Sequence, residues 1–140
     1  MQRYPDWPSR LINELQAASE RPFSWGSHDC ALFACNVVNA ITGTDPAAIF
    51  RGTYSSEIGA LRMIASYGSL AGLAEWVAHE HNCDEVPPAM AQRGDVLLID
   101  AGAQGFALGI CAGERAAVAS PQGLSFVPMA RVTRAWATGR

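Results

Sequence analysis

The segment from Cys30 to Ile41 constrains the fold more than any other part of the sequence. It holds only two clearly polar residues, Asn36 and Asn39, and Gly43 follows it where a helix commonly ends. A helix that is apolar on nearly all sides is stable when the rest of the chain surrounds it. We therefore predict a central buried helix over about residues 29–42.

Capping and terminating residues predict further helices in the first half of the chain. They are a helix from Trp7 to about Ser19, a helical turn at Asp45-Pro46, and two helices capped by Ser55 or Ser56 and by Ser69. Residues 82–91, which include Pro87-Pro88, are predicted to form a linker.

The second half changes from helical spacing to short apolar runs separated by glycines. The predicted strands cover residues 95–100, 106–112, 115–119, 123–127 and 132–137. Helices followed by a meander of strands predict an α+β domain, in which the N-terminal helices pack on a C-terminal antiparallel sheet. A length of 140 residues favours one domain, spanning residues 1–140.

Composition excludes several classes of protein. Hydrophobic residues make up 49% of the chain and charged residues 16%, a balance opposite to that of disordered proteins. The ten basic residues are all Arg and are scattered, and the net charge is −3, so no basic stripe indicates a nucleic-acid partner. Ordinary proteins carry about 25% charged residues, so we expect a partner to cover part of this surface.

The chain shows no sequence feature of secretion or membrane insertion. No apolar run is long enough to cross a membrane, and residues 1–7 do not resemble a signal peptide. We expect the protein to be made in a cytoplasm and to leave it only within a larger assembly. The cysteines at 30, 35, 83 and 111 form no Cys-x-x-Cys pair and are predicted to be free thiols.

Cys30 is the first candidate for chemistry, because it stands at the first turn of the predicted central helix. The amides and the dipole of a helix N-terminus stabilise a thiolate, so we expect a lowered pKa and a nucleophilic sulfur. The alternative is a small buried thiol that fills space, with His28 and Asp29 acting as caps.

Several stretches in order resemble the NlpC-type branch of the papain-like cysteine peptidase superfamily. They are Asp29-Cys30, Arg93-Gly94-Asp95-Val96 at the start of the sheet, and Leu108-Gly109-Ile110. The chain is also similar to a narrower group, encoded beside tail genes of phages and prophages. This similarity lies at Trp25-Gly26-x-His28, Thr42-Gly43-x-Asp45-Pro46 and Ala135-Trp136. The resemblance spans residues 8 to 137 and implies a papain-like, NlpC-type fold.

The resemblance also implies a site in which one catalytic group is missing. In active members the cysteine attacks an amide, often in peptidoglycan peptides, and a histidine on the second sheet strand takes its proton. Cys30 matches the nucleophile, whereas Ala107 occupies the histidine position and residues 116–119 offer no polar group to orient an imidazole. His28 is the remaining candidate base, at a position that the family does not use. Loss of a general base costs about 10²–10⁴-fold in rate, so we predict a pseudoenzyme.

By resemblance, the predicted role is a non-catalytic structural or assembly component of a phage tail tip or baseplate. Its partners would be other tail or baseplate proteins and peptidoglycan peptides, with no nucleic acid, no membrane span and no cofactor. It would be made in the host cytoplasm and then reside in the virion tail. The alternative is an active cysteine peptidase or amidase that cleaves peptidoglycan peptides during genome entry. A third hypothesis is a toxin or immunity domain of the same fold.

Two further features have functional and structural interpretations. His79, His81 and Cys83, together with Cys30 or His28, would suit zinc in ligand type. The alternative is a polar helix end, where histidines are favourable, and we predict no metal because no paired Cys-x-x-Cys is present.

The N-terminal segment precedes the elements of the core. Tyr4 and Trp7 are therefore predicted to be interface anchors, on a segment free to dock on a partner.

Overall fold

The computed structural model describes residues 1–140 and contains four α-helices followed by a six-stranded sheet. The helices are α1 (Trp7–Glu20), α2 (Cys30–Thr42), α3 (Glu57–Ala65) and α4 (Leu70–Glu80). The strands are β1 (Glu85–Val86), β2 (Val96–Asp100), β3 (Phe106–Cys111), β4 (Arg115–Ser120), β5 (Gly123–Pro128) and β6 (Val132–Trp136). Neighbouring strands are antiparallel in the order β1-β6-β2-β3-β4-β5, which confirms the predicted α+β class.

Helix α2 is the buried centre of the molecule, as its composition predicts. It packs against α1 and against strands β3 and β4. The carboxylate of Asp29 accepts a hydrogen bond from the Leu32 N–H at the start of the helix. At its end Gly43 adopts a left-handed conformation with φ of +77° and closes the last turn. Both ends of α2 therefore follow from the residues that flank the apolar run.

Side chains from both faces of the sheet are buried. One face packs on the helices through Leu98, Leu108, Ile110, Ala117 and Trp136. The opposite face holds a second cluster, made of Leu97, Ile99, Cys111, Ala116, Val118, Val132 and Ala135. Burial on both faces explains why β2 has an apolar run and no alternation of apolar with polar residues.

Gly109 allows a close approach between β3 and its neighbours. A Cβ atom there would lie 2.4 Å from the carbonyl oxygen of Ala117 and 2.6 Å from Cδ1 of Ile99. These distances leave no room for a side chain, so β3 packs tightly between β2 and β4.

Two local predictions differ from the structure. The predicted linker at 82–91 contains strand β1, in which Glu85 pairs with Trp136 and Val86 with Ala135. Two residues are too few for a periodic pattern, so β1 depends on the neighbouring β6 rather than on its own sequence. The helical turn predicted at Asp45-Pro46 is a series of turns over residues 46–50.

The prediction that the N-terminal segment is free to dock elsewhere is wrong. The Arg3 N–H donates to the Gly139 carbonyl at 3.0 Å, and the Tyr4 N–H donates to the Ile41 carbonyl at 2.8 Å. The Arg3 guanidinium also lies over the Trp7 ring, 4.3 Å from its centroid. These contacts hold the segment against the domain, and Trp7 packs on its core, whereas the Tyr4 side chain remains exposed.

Asp95 fastens both ends of the described chain to the start of the sheet. Its fully buried carboxylate accepts hydrogen bonds from the Arg3 and Arg140 guanidinium groups, each at 2.9 Å. The backbone N–H groups of Gln92 and Thr138 complete its coordination at 2.8 and 3.0 Å. Asp95 is thus a structural carboxylate with two cationic partners.

No helix in this structure has the length and apolar composition needed to cross a bilayer.

Candidate functional site

Asp29 organises the start of α2 and the loop that precedes it. Its buried carboxylate accepts hydrogen bonds from the Leu32 N–H at 2.9 Å, the Gly26 N–H at 3.1 Å and the Tyr54 hydroxyl at 2.6 Å. Burial, followed by this hydrogen bond to Asp29, raises the pKa of Tyr54. The carboxylate therefore fixes loop, helix and Tyr54 together, and places Cys30 as the first residue of α2.

Cys30 lines a cleft of about 610 Å³ between the loop before α2 and strands β2 to β5. On the loop side, Phe23 and Trp25 pack edge to face with their ring centroids 4.9 Å apart. Polar side chains from separate elements also line the cleft: Glu57, Asp100, Gln104, Ser120, Ser125 and Arg131. The cleft combines an aromatic wall with polar groups, as ligand-binding clefts commonly do.

Ala107 lines the same cleft as Cys30. It lies near the start of β3, where it pairs with Ile99 of β2, and Ala119 of β4 lines the cleft as well. The structure therefore brings together the thiol and the position at which the resemblance expects a histidine. That position contributes a methyl group, and no histidine lines the cleft.

Burial dominates the acid–base behaviour of Cys30. It raises the pKa of the thiol to about 11, and the nearby Asp29 carboxylate acts in the same direction. Hydrogen bonds from the Leu108 backbone and from the first turn of α2 favour the thiolate but do not offset burial. The expectation that the helix N-terminus lowers this pKa is therefore wrong, because the cost of desolvating the thiolate exceeds the benefit of the dipole.

His28 does not act on Cys30 in this geometry. Its side chain is buried, does not line the cleft, and makes no hydrogen bond with the thiol. Its ring edge faces Phe33, and its pKa is lowered by burial first and by repulsion from Arg21 second. The hypothesis that His28 serves as the base is not supported by the structure, because adjacency in sequence did not bring the imidazole to the sulfur.

The histidines and cysteine considered for zinc do not converge. His79 is 89% exposed by side chain, and His81 follows the last residue of α4. The sulfur of Cys83 lies 3.9 Å from the Met1 sulfur. No three His, Cys, Asp or Glu side chains are grouped so that they could hold a metal ion. All four cysteines are free thiols, as the sequence predicts.

Tyr54 and the aromatic wall are the parts of the site that sequence reasoning missed. Tyr54 contacts Asp29 across 25 residues of chain, and no spacing in the sequence signals that contact. Phe23 and Trp25 do carry a signal, since two aromatic residues flank Ser24 directly before the cysteine segment. A pair of aromatic residues beside a candidate nucleophile is a reason to expect a cleft wall.

A family model described as "Domain of unknown function (DUF6950)" matches residues 2–138. The match covers the four helices, the sheet and the residues that line the Cys30 cleft, together with Asp95 and its partner Arg3. No curated protein matches the chain. Since the family description names no activity, the function has to be argued from the site itself.

Proposed function

The chain belongs to the DUF6950 family, and we propose that this member is a non-catalytic NlpC-like domain that serves as an assembly component of a phage tail tip or baseplate. One observation carries the non-catalytic part: Cys30 and Ala107 line one cleft, and no imidazole lines it. The tail assignment rests on the sequence resemblance described above. On this proposal the protein is made in the host cytoplasm and leaves it within the particle.

The chemistry of Cys30 supports a binding role. A thiol attacks an amide as its thiolate, and a base normally takes the proton. Burial raises the pKa of Cys30 to about 11, which favours the thiol over the thiolate at neutral pH. No histidine lines the cleft to take the proton from the thiol. The cleft therefore has the open, partly polar shape of a binding site and lacks the imidazole that would serve as general base.

Exposed apolar side chains support a role within an assembly. Ile58 is 63% exposed and Leu61 is 58% exposed, and both stand on α3 three residues apart. On a helix this spacing places the two side chains on one face. An apolar pair on a weakly charged surface is the kind of feature that a protein partner covers.

The alternative is an active cysteine peptidase or amidase, and one observation favours it. Cys30 lies at the first turn of a 13-residue helix, lines an open cleft, and interacts with the backbone of Leu108. A ligand that donates hydrogen bonds to the Cys30 sulfur would favour the thiolate. Activity measurements separate the two hypotheses.

The experiment compares the unmodified protein with Cys30→Ala on peptidoglycan fragments, with released products measured by mass spectrometry. We expect equal product release from both proteins. A Cys30-dependent rate would contradict the proposal and establish the peptidase alternative.

A second pair of variants tests the reason for inactivity. Ala107→His places an imidazole in the cleft, whereas Ala107→Asn adds a polar side chain without a base. We expect faster alkylation of Cys30 by iodoacetamide at neutral pH in Ala107→His than in Ala107→Asn or the unmodified protein. Equal rates in all three would show that a missing imidazole does not explain the unreactive thiol.

The assembly part is tested by sedimentation of the purified protein with and without purified tail-tip and baseplate proteins. We expect co-sedimentation with one of them. A protein that stays monomeric in every mixture, and is absent from assembled particles, would contradict the assembly role while leaving the non-catalytic cleft intact.

A further inference from the structure

His28 has a buried ring nitrogen with no partner. The residue is 4% exposed, and its ring meets Phe33 edge to face with the centroids 6.2 Å apart. Its Nδ1 atom is buried and makes no hydrogen bond. Protonating Nδ1 would bury a charged N–H group without an acceptor, which is costly in a protein interior. The local structure therefore accommodates neutral His28 and disfavours the charged form.

The backbone of His28 closes the loop that carries the aromatic wall of the cleft. The His28 N–H donates to the Ser24 carbonyl at 2.8 Å, and the Ser24 N–H donates to the His28 carbonyl at 3.0 Å. Phe23 and Trp25 flank Ser24 and line the cleft. A change in the packing of His28 is thus transmitted through two hydrogen bonds to the wall.

The charged groups around His28 do not compensate for protonation. Arg21 in the same loop repels an imidazolium, while Glu14 of α1 and Asp29 before α2 attract it. A backbone hydrogen bond to Ala18 also favours the charged ring. The Asp29 carboxylate already accepts three hydrogen bonds, and the net effect of burial and Arg21 is a lowered pKa.

We propose that His28 is an acid-sensitive latch: the neutral imidazole holds the Phe23–Trp25 wall against the cleft, and protonation releases that wall. The latch depends on the loop and not on what the cleft binds, so it does not rest on the proposed function. In the released form the His28 imidazole binds a proton that the closed form disfavours. Lowering the pH therefore favours the released form.

The direction of the pH effect follows from linkage. In a released loop the histidine has a pKa of about 6.5, above its value in the closed structure. The latch therefore contributes its full stability above about pH 7, and loses it as the pH falls through about 6.5 toward the lower pKa of the closed form. Acidification, not alkalinisation, opens the wall.

Hydrogen–deuterium exchange of the full chain at about pH 7.5 and about pH 5, corrected for intrinsic rates, tests the latch. We expect the amides of Arg21 and of residues 23–28 to lose protection several-fold at the lower pH, while the interior of α2 stays protected. His28→Gln should abolish this response, and the exposed control His79→Gln should retain it. No acid response in residues 21–28, or a response unchanged in His28→Gln, would overturn the proposal.

A measurement on the unmodified protein covers the case in which His28→Gln does not fold. Carbon-13 labelling of the three histidines allows each ring to be titrated by NMR. We expect His28 to titrate below the ordinary histidine value of about 6.5, together with shifts of the Trp25 signals. Titration of His28 at or above that value would overturn the latch.

Discussion

Two of the motifs behind the sequence resemblance contain a buried aspartate, Asp29 or Asp95, and the partners of the two carboxylates differ. Asp29 accepts hydrogen bonds from three uncharged donors, two of them backbone N–H groups within three residues of it. Asp95 accepts hydrogen bonds from two arginines that lie 92 and 45 residues away in sequence. One carboxylate organises a loop and a helix start, whereas the other balances charge and joins distant segments.

The difference shows that folding alone accounts for both motif aspartates. Asp29 positions Cys30 in a cleft that no imidazole lines, and Asp95, which does not line that cleft, holds the start of the sheet. Each carboxylate therefore has a structural role that requires no reaction at the site.

The largest effect is expected for Asp95→Asn, which keeps the shape and removes the charge. Two guanidinium groups would then lack a counter-charge, and the new amide would place donors against donors. Breaking a buried pair in this way costs about 3–5 kcal/mol in free energy of unfolding. Urea unfolding measures this loss of stability. Asp6→Asn, which breaks an exposed pair with Arg10, is the control and should change the stability far less. Equal costs for the two variants would remove the charge-balancing role.

A smaller effect is expected for Asp29→Asn, the same chemical change at the other motif. Asn caps a helix about as well as Asp, so the hydrogen bond from Leu32 survives. The NH₂ group of the new amide would lie near the Gly26 N–H and the Tyr54 hydroxyl, which are also donors. We expect this conflict to lower the free energy of unfolding by about 1–2 kcal/mol. The comparison with Asp95→Asn fails if urea unfolding ranks the two variants in the opposite order.

The smallest effect is expected for Tyr54→Phe, which removes one hydrogen bond to Asp29 and leaves the ring in place. The net value of such a bond is about 0.5–1.5 kcal/mol. Tyr67→Phe is a suitable control, because the Tyr67 hydroxyl makes no hydrogen bond to a protein side chain or backbone group. Thermal unfolding of both variants checks the prediction, and indistinguishable midpoints would mean that Tyr54 contributes only its ring.

Much of the fold could be predicted from local signals. The apolar run of α2, the cap at Asp29 and the stop at Gly43 are encoded within a few residues of each helix end. The five longer strands are bounded by glycines or turns and are apolar enough to be recognised. β1 could not be predicted in this way, because two residues form a strand only when a neighbouring strand supplies the hydrogen bonds.

The candidate site was less predictable, because its properties depend on contacts between distant residues. The placement of Cys30 at a helix start followed from sequence, and its raised pKa did not, since burial comes from the sheet and loops around it. The orientation of His28 away from the cleft was equally hidden, because one backbone rotation decides which side of a loop a side chain occupies. Tyr54 could be identified only from tertiary contact with Asp29.

The hydrogen bond between Arg3 and Gly139 has a consequence for engineering. Because these two positions touch, the path of the chain is close to a closed ring. A short peptide joining the two ends would span little distance. A new opening at Gly102–Gln104 would interrupt a single 3-10 turn and no α-helix or strand. The same closeness would allow the domain to be inserted into a loop of another protein, because its two ends lie near each other.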